Sequence, residues 1–258
     1  MMKIIVTIFV CVTASMATPV NVDSNIDWRV VGGSTATPHQ FPFIVSLRTP
    51  YDSHNCGGSI IAKNYVITAA HCVSGYAPSY YTVVAGTNQL NATNPLRLKV
   101  AQIIVHPEYS SSLILNDVAL LRLETPIEES EEVQIVGLET EYVDTVRDCV
   151  LIGWGRTSYP GSIPNDLQFL NERTYPNDEC VSRWASAHAV YSSQICTLTK
   201  VGEGACHGDS GGPLVVVKDD KFSLIALVSW GSPCARGMPD VYTRVASFHD
   251  FITDNIKN

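Results

Sequence analysis

The sequence predicts an all-β protein, and three observations carry that prediction. Short runs rich in β-branched and aromatic residues recur at 43–47, 65–68, 80–84, 101–105, 118–123, 149–152, 213–217 and 224–230. Clusters of Gly, Pro, Asn and Asp punctuate them at short spacing, which is the pattern of a sandwich or barrel. Only two stretches read as helical: one opening at Asn177-Asp178-Glu179-Cys180, with Asn177 or Asp178 as its cap, and one capped by Ser247. In the second, Phe248, Phe251, Ile252 and Ile256 fall on one face, as core packing requires.

Taken in order, the chain begins with a segment that is not expected to join the fold. Lys3 precedes an apolar core at 4–12, too short to span a membrane, and Ser15-Met16-Ala17 follows as a small-x-small cleavage site. Residues 1–17 therefore read as a secretory signal, and a secreted protein is expected. Residues 18–29 are polar and end in Arg29-Val30-Val31-Gly32-Gly33; on the residues alone they form a flexible tail. The strand runs follow. An acidic stretch at 124–141 divides them and reads as a solvated crossing between two halves.

The 258 residues are ample for a large core, and carry 17 basic and 25 acidic side chains, a net charge of −8. Losing residues 1–29 removes Lys3, Arg29, Asp23 and Asp27 and leaves that balance unchanged. So acidic a surface argues against nucleic acid or anionic membranes as partners.

The chemistry concentrates in Gly204-Ala205-Cys206-His207-Gly208-Asp209-Ser210-Gly211-Gly212-Pro213. Alone, Gly-Asp-Ser-Gly-Gly could be a plain surface turn. Glycines around Ser210 also suit a nucleophile displayed on a tight turn, with free N–H groups to hold an oxyanion. A serine hydroxyl is a weak nucleophile and needs a base and an orienting acid. Thr68-Ala69-Ala70-His71-Cys72 supplies the histidine, and Asn116-Asp117-Val118-Ala119-Leu120-Leu121 the acid.

With Val31-Gly32-Gly33, Cys56-Gly57-Gly58-Ser59, Gly153-Trp154-Gly155 and Ser229-Trp230-Gly231 in the same order, the chain from Val30 onward resembles the chymotrypsin family of serine endopeptidases. Ile195-Cys196-Thr197-Leu198-Thr199-Lys200, running into 202–207, is most similar to insect chymotrypsins. The resemblance implies two six-stranded antiparallel β-barrels with the active site between them, plus a C-terminal helix. Barrel one is expected over about 30–135, barrel two over about 142–245 and the helix over about 247–256, in a peptidase domain at 30–258. It implies His71 as base, Asp117 as orienting acid, Ser210 as nucleophile, and the N–H groups of Gly208 and Ser210 as the oxyanion hole. Residues 18–29 become an activation peptide cut after Arg29 by a trypsin-like protease, whereupon the new ammonium of Val30 pairs with Asp209. Ser229, Trp230 and Gly231 would bind substrate backbone as an added strand.

The resemblance also implies a specificity pocket of Gly204, Ala205, Gly231 and Asp240. Trypsin-like relatives place an aspartate where this chain has Gly204, so the expected preference before the cut is for large apolar and aromatic residues. Asp240 leaves two readings open. Backbone N–H groups, water or Arg236 can satisfy it, or it can accept a basic side chain, as in broad-specificity collagenolytic proteases. A digestive role in the gut lumen is expected, against venom or immune proteases and against an inactive homologue that only binds.

Eight cysteines are present, and Cys11 leaves with the signal. In a secreted chain the rest read as disulfides. The resemblance pairs Cys56–Cys72, Cys180–Cys196 and Cys206–Cys234 and leaves Cys149, either a buried free thiol or an intermolecular bridge. His39, His54, His106, His188, His207 and His249 lack metal-ligand spacing and read as surface or structural. No metal and no cofactor are expected. Asn91-Ala92-Thr93 is a glycosylation sequon. The expected partners are protein or peptide substrates, the activating protease and protein inhibitors, and a monomer is expected.

Overall fold

The computed structural model describes residues 31–232 and 234–257. The expected signal at 1–17, the activation peptide at 18–29, and Val30 lie outside the described residues.

Strand β1 (Ser34–Thr35) leads into β2 (Ile44–Arg48), β3 (His54–Ala62) and β4 (Tyr65–Thr68). A single helical turn, α1 (Ala70–Val73), follows, then β5 (Thr82–Ala85), β6 (Leu96–Val105) and β7 (Ala119–Leu123). Antiparallel pairing in the order β2-β3-β4-β7-β6-β5 closes a six-stranded barrel, because β5 returns to β2 with Leu47 opposite Val83. Its interior is apolar: Val45, Leu47, Ile60, Val66, Val83, Leu121 and Leu123 are all buried.

The chain then crosses through β8 (Gly137–Leu138) to β9 (Asp148–Gly153), β10 (Gln168–Tyr175), α2 (Asn177–Trp184) and β11 (Gln194–Thr197). Strands β12 (Pro213–Lys218), β13 (Lys221–Trp230) and β14 (Asp240–Arg244) complete it, and helix α3 (His249–Ile256) ends the fold. The order β10-β11-β14-β13-β12-β9 closes on itself through β9–β10, giving the second six-stranded barrel. β1 lies in the segment expected for barrel one but extends the second sheet, with Ser34 opposite Phe169. β8 adds parallel to β13. Phe41, Phe43, Ile67, Leu120, Ile152, Trp154, Leu224 and Ile252 form one buried cluster drawing on both barrels and α3.

Several local expectations change. The run at 80–84 starts late as a strand: Pro78–Tyr80 is a 3-10 turn with proline at its start, where its fixed φ is at home. Pro176, not Asn177 or Asp178, occupies the cap position of α2, and no side chain caps it. Asn177 Oδ1 instead accepts from Nη2 of buried Arg244 at 3.4 Å. Ser247 does not cap α3 either. It lies inside a 3-10 turn, Val245–Phe248, held by burial of Val245 and Phe248, and the helix begins only at His249. The strands at 54–62, 168–175, 194–197 and 240–244 lie outside the runs that the sequence predicts.

Candidate active site

Asp117 stands at the head of β7 with 1% of its surface exposed. Its Oδ1 accepts from the backbone N–H of His71 at 2.8 Å. Its Oδ2 accepts from His71 Nδ1 at 2.7 Å and from Ser229 Oγ at 2.6 Å. Its carbonyl accepts from Thr243 Oγ1 at 2.8 Å. A buried carboxylate needs this many donors. A proton on Nδ1 leaves Nε2 of the neutral imidazole as an acceptor. His71 sits in α1, where Ala69 and Ala70 are fully buried and let the turn pack against the barrel.

Ser210 lies on the other barrel's loop, half-buried, and two backbone bonds bring it to the same place. Gly57 N donates to Ser210 O at 2.8 Å, and Gly211 N donates to Val228 O at 2.8 Å. Gly57 follows Cys56, which is disulfide-bonded to Cys72 beside His71. Val228 precedes Ser229, which bonds Asp117. Among the described residues no hydrogen bond joins Ser210 Oγ to His71; Nε2 lies 3.7 Å from Cys72 Sγ. The N–H groups of Gly208 and Ser210 have no acceptor among the described residues. Gly208 has φ +106°, a conformation open to glycine, and its carbonyl turns to accept from His54 Nε2 at 2.9 Å.

His54, expected to be surface or structural, does hold structure, but at the site itself. Its Nδ1 meets Ser46 Oγ at 2.8 Å, and burial pushes the imidazole down to about 4, so the ring is neutral at physiological pH. The sequence signal for this role was its position two residues before Cys56.

Asp209 is fully buried. Gly155 N donates to Oδ1 at 2.8 Å and Cys206 N to Oδ2 at 3.0 Å. Burial pushes its carboxyl up to about 6 despite those bonds. Val30, its expected partner, is outside the described residues.

Beside Ser210 opens a cavity of about 130 Å³ lined by Ala205, Ser210, Val228, Ser229, Trp230, Gly231 and Asp240, among others. Gly204 is not in the lining. Asp240 covers it: a Cβ at residue 204 would collide with Asp240 Oδ2, and one at Gly231 would lie 2.6 Å from Oδ1. An aspartate at 204 and Asp240 as it stands therefore exclude each other. Asp240 Oδ2 accepts from Ala205 N at 2.7 Å, one of the expected ways of satisfying it. Exposed Arg236 instead lies over the Tyr159 ring, 5.5 Å from its centroid. Burial, ahead of the nearby charge of Glu172, holds the Asp240 carboxyl well above the usual range. Glu172, which the sequence reading passed over, is buried in barrel two.

Cys56–Cys72, Cys180–Cys196 and Cys206–Cys234 are the disulfides, the pairs the resemblance implies, and Cys149 is a buried free thiol. His71 and His207 each lie beside two cysteines, yet all four sulfurs are bridged and carry no thiolate for a metal. Asn91 is exposed on a loop.

Two closed barrels with a serine, a histidine and a carboxylate gathered at their seam define the class: a serine endopeptidase. The comparisons with known proteins agree. The Trypsin family model matches residues 30–252. Chymotrypsin-2 of Vespa crabro is 42% identical over 228 residues, 88% of this chain and 99% of the relative. Trypsin II-P29 of Gallus gallus is 34% identical over 99% of both chains. Trypsin of Saccharopolyspora erythraea is 36% identical over 88% of this chain and 98% of its own length. The chain belongs to the trypsin family.

Proposed function

We propose that this serine endopeptidase is a secreted digestive enzyme, made as a zymogen, that cleaves after large apolar and aromatic residues. In this reading Ser210 Oγ attacks the peptide carbonyl while His71 Nε2 takes its proton. Nucleophile–base contacts are often loose in ligand-free sites and tighten with substrate. Asp117 holds the imidazole tautomer and stabilises the imidazolium. The N–H groups of Gly208 and Ser210 take the oxyanion. His71 then returns the proton to the leaving amine, and water repeats the cycle on the acyl-enzyme. Ser229, Trp230 and Gly231 pair with substrate backbone.

Control rests on Arg29 and Val30: a trypsin-like protease cuts between them, and the freed ammonium pairs with buried Asp209. Protein or peptide substrates, that activating protease and protein inhibitors are the partners. Nucleic acid and membranes are not, and the enzyme works as a monomer in the gut lumen without cofactor or metal.

The observation that carries the specificity is the cavity floor. Gly204 is covered, Gly231 leaves the mouth open, and Asp240 is bonded to Ala205 N, with burial holding its carboxyl well above the usual range. A carboxyl so held resists ionising, so an Arg or Lys would bury its charge with little compensation, which is unfavourable. A second reading has one observation behind it: Asp240 does line the cavity, so an ionised Asp240 would accept basic residues. The test is kcat/KM on matched peptides with Phe, Leu, Ala or Arg before the cut, for wild type and Asp240→Gly. Phe and Leu should lead by at least tenfold. An Arg substrate equal to Phe in wild type, collapsing in the variant, would establish the broad-specificity reading. Phosphonate labelling of Ser210 after cleavage at Arg29 separates the enzyme from an inactive, binding homologue.

A further inference from the structure

We propose that Glu172 is a specificity-determining positioning residue: buried in barrel two and hydrogen-bonded to Tyr242, which shares a face of β14 with Asp240, it acts through Asp240 to bias the pocket against Lys and Arg. The inference rests on the reading above, that the cavity beside Ser210 receives the side chain before the cut.

The geometry runs through one tyrosine. Along β10 burial alternates, and Glu172 points inward with Leu170 and Thr174. Tyr242 Oη donates to Glu172 Oε2 at 3.1 Å, and Thr197 Oγ1 donates to Tyr242 Oη at 3.2 Å. Asp240 lies two residues before Tyr242 on β14, so both side chains leave the strand on the same face. Thr197, the third member, is Asp240's partner across the β11–β14 ladder. Glu172 and Asp240 are 3% and 6% exposed, and no ion pair reaches either among the described residues.

Among the described residues, the titratable groups that act on this pair are acids. Tyr242, hydrogen-bonded to Glu172, and Cys149, Asp209 and Glu203 act on Glu172; Glu172, Tyr242 and Asp209 act on Asp240. Glu203 is itself neutralised by Lys200 at 2.8 Å. A Val30 ammonium pairing with Asp209 would quiet that carboxylate and leave Glu172 and Asp240 facing each other. Two carboxylates in a low-dielectric interior resist ionising together, and their protons belong to the pair. Burial pushes Glu172 up to about 7, and burial first, then the charge of Glu172, holds Asp240 well above the usual carboxylate range.

The function follows from that proton. While Asp240 holds it, the floor is an uncharged hydroxyl that tolerates aromatic and aliphatic side chains. An entering Arg or Lys must expel it to solvent, at a cost of about tenfold in kcat/KM for each pH unit below the pair's midpoint. Removing the charge of Glu172 lets Asp240 ionise at lower pH, so basic substrates gain at neutral pH.

The experiment measures kcat/KM for matched Arg and Phe peptides from pH 6 to 9.5 on the activated wild type, Glu172→Gln and Asp240→Asn. The Arg/Phe ratio cancels any pH dependence common to both substrates and any general loss of activity. The expected wild-type ratio rises with pH; Glu172→Gln shifts that rise down by about one pH unit and lifts the ratio at pH 7 about tenfold; Asp240→Asn flattens it. Glu172→Met, which removes the charge with an apolar chain of similar length, repeats the test should the glutamine variant fold poorly. An identical ratio profile in wild type and Glu172 variants overturns the inference. A flat, Phe-dominated ratio throughout overturns it too while leaving the aromatic-pocket reading intact. Arg equal to Phe at every pH in wild type sinks both.

Discussion

Ser229 Oγ reaches Asp117 Oδ2 at 2.6 Å, a hydrogen bond that crosses from β13 of one barrel to the head of β7 in the other. It lands on the same oxygen that His71 Nδ1 approaches at 2.7 Å. A hydrogen bond to a buried charged group contributes about 2 kcal/mol. Ser229→Ala should therefore lower kcat/KM about 30-fold with KM little changed. Asp117→Asn, which forces the wrong imidazole tautomer, should lower kcat by about ten-thousand-fold, the magnitude for this triad in the family at large. Steady-state kinetics on one good substrate checks both: a wild-type rate in Asp117→Asn would remove Asp117 from the mechanism, and one in Ser229→Ala would show its bond to be dispensable.

Activation should depend on the Arg29–Val30 bond. Arg29→Gln is expected to give a precursor that stays inert in the presence of trypsin, while the wild-type precursor gains activity as its N-terminus becomes Val30. N-terminal sequencing alongside an activity time course reads the outcome. Full activity from Arg29→Gln would show that this bond is not the control point.

Asp209 should make the uncleaved precursor pH-sensitive. Its folded value is raised, to about 6, so its contribution to stability is fully present below the ordinary value of 3.8 and lost as pH rises through about 6. The rise from 3.8 to about 6 corresponds to about 3 kcal/mol. Urea unfolding from pH 4 to 7.5 should show the precursor losing that much relative to Asp209→Asn. If cleavage frees a Val30 ammonium that pairs with Asp209, as proposed, it should offset the loss, and the difference should shrink or reverse. A constant difference between precursor and variant across that range would contradict the picture.

Cys149 should be the single titratable thiol of the denatured, unreduced mature enzyme. In the native state burial raises its thiol well above the usual range, so it should resist alkylation until the fold opens. Cys149→Ser should cost about 1–2 kcal/mol, through a hydroxyl left in an apolar cluster with Leu151, Leu214 and Val216, and leave kcat intact. Zero free thiols in a monomer would mean that a different cysteine pairing exists in solution.

Strands announced themselves in the sequence where their side chains are apolar. β4, Tyr65–Thr68, is buried along its whole length and was legible to the residue. β10 was not, because the side chains it turns inward include Gln168, Glu172 and Thr174, whose burial depends on Thr35 and Asp166, on Tyr242 of β14 and on the 145–147 segment respectively. β14 is wholly buried yet carries Asp240, Thr243 and Arg244, which read as surface until Ser192, Gln194 and Ala205 are known to meet them. The same rule applies to the site. His71, Asp117 and Ser210 stand in recognisable neighbourhoods. His54 and Glu172 are ordinary letters whose roles come from atoms more than 60 residues away, in Gly208 and Tyr242. The expected caps are displaced for a local reason: Pro176 and the Val245–Phe248 turn, anchored by buried Val245 and Phe248, set the entry to each helix without a side-chain cap.

The seam between the barrels has a further consequence. Gly57 to Ser210, His54 to Gly208, Ser229 to Asp117 and Thr243 to Asp117 are four bonds linking the halves, and each touches a residue of the site. Catalysis is thus a gauge of docking: a slip between two intact barrels would silence the enzyme while its strands, disulfides and circular dichroism stayed unchanged. Heat, denaturant or a nick in the crossing at 124–141 should then extinguish turnover before any loss of β-structure becomes visible.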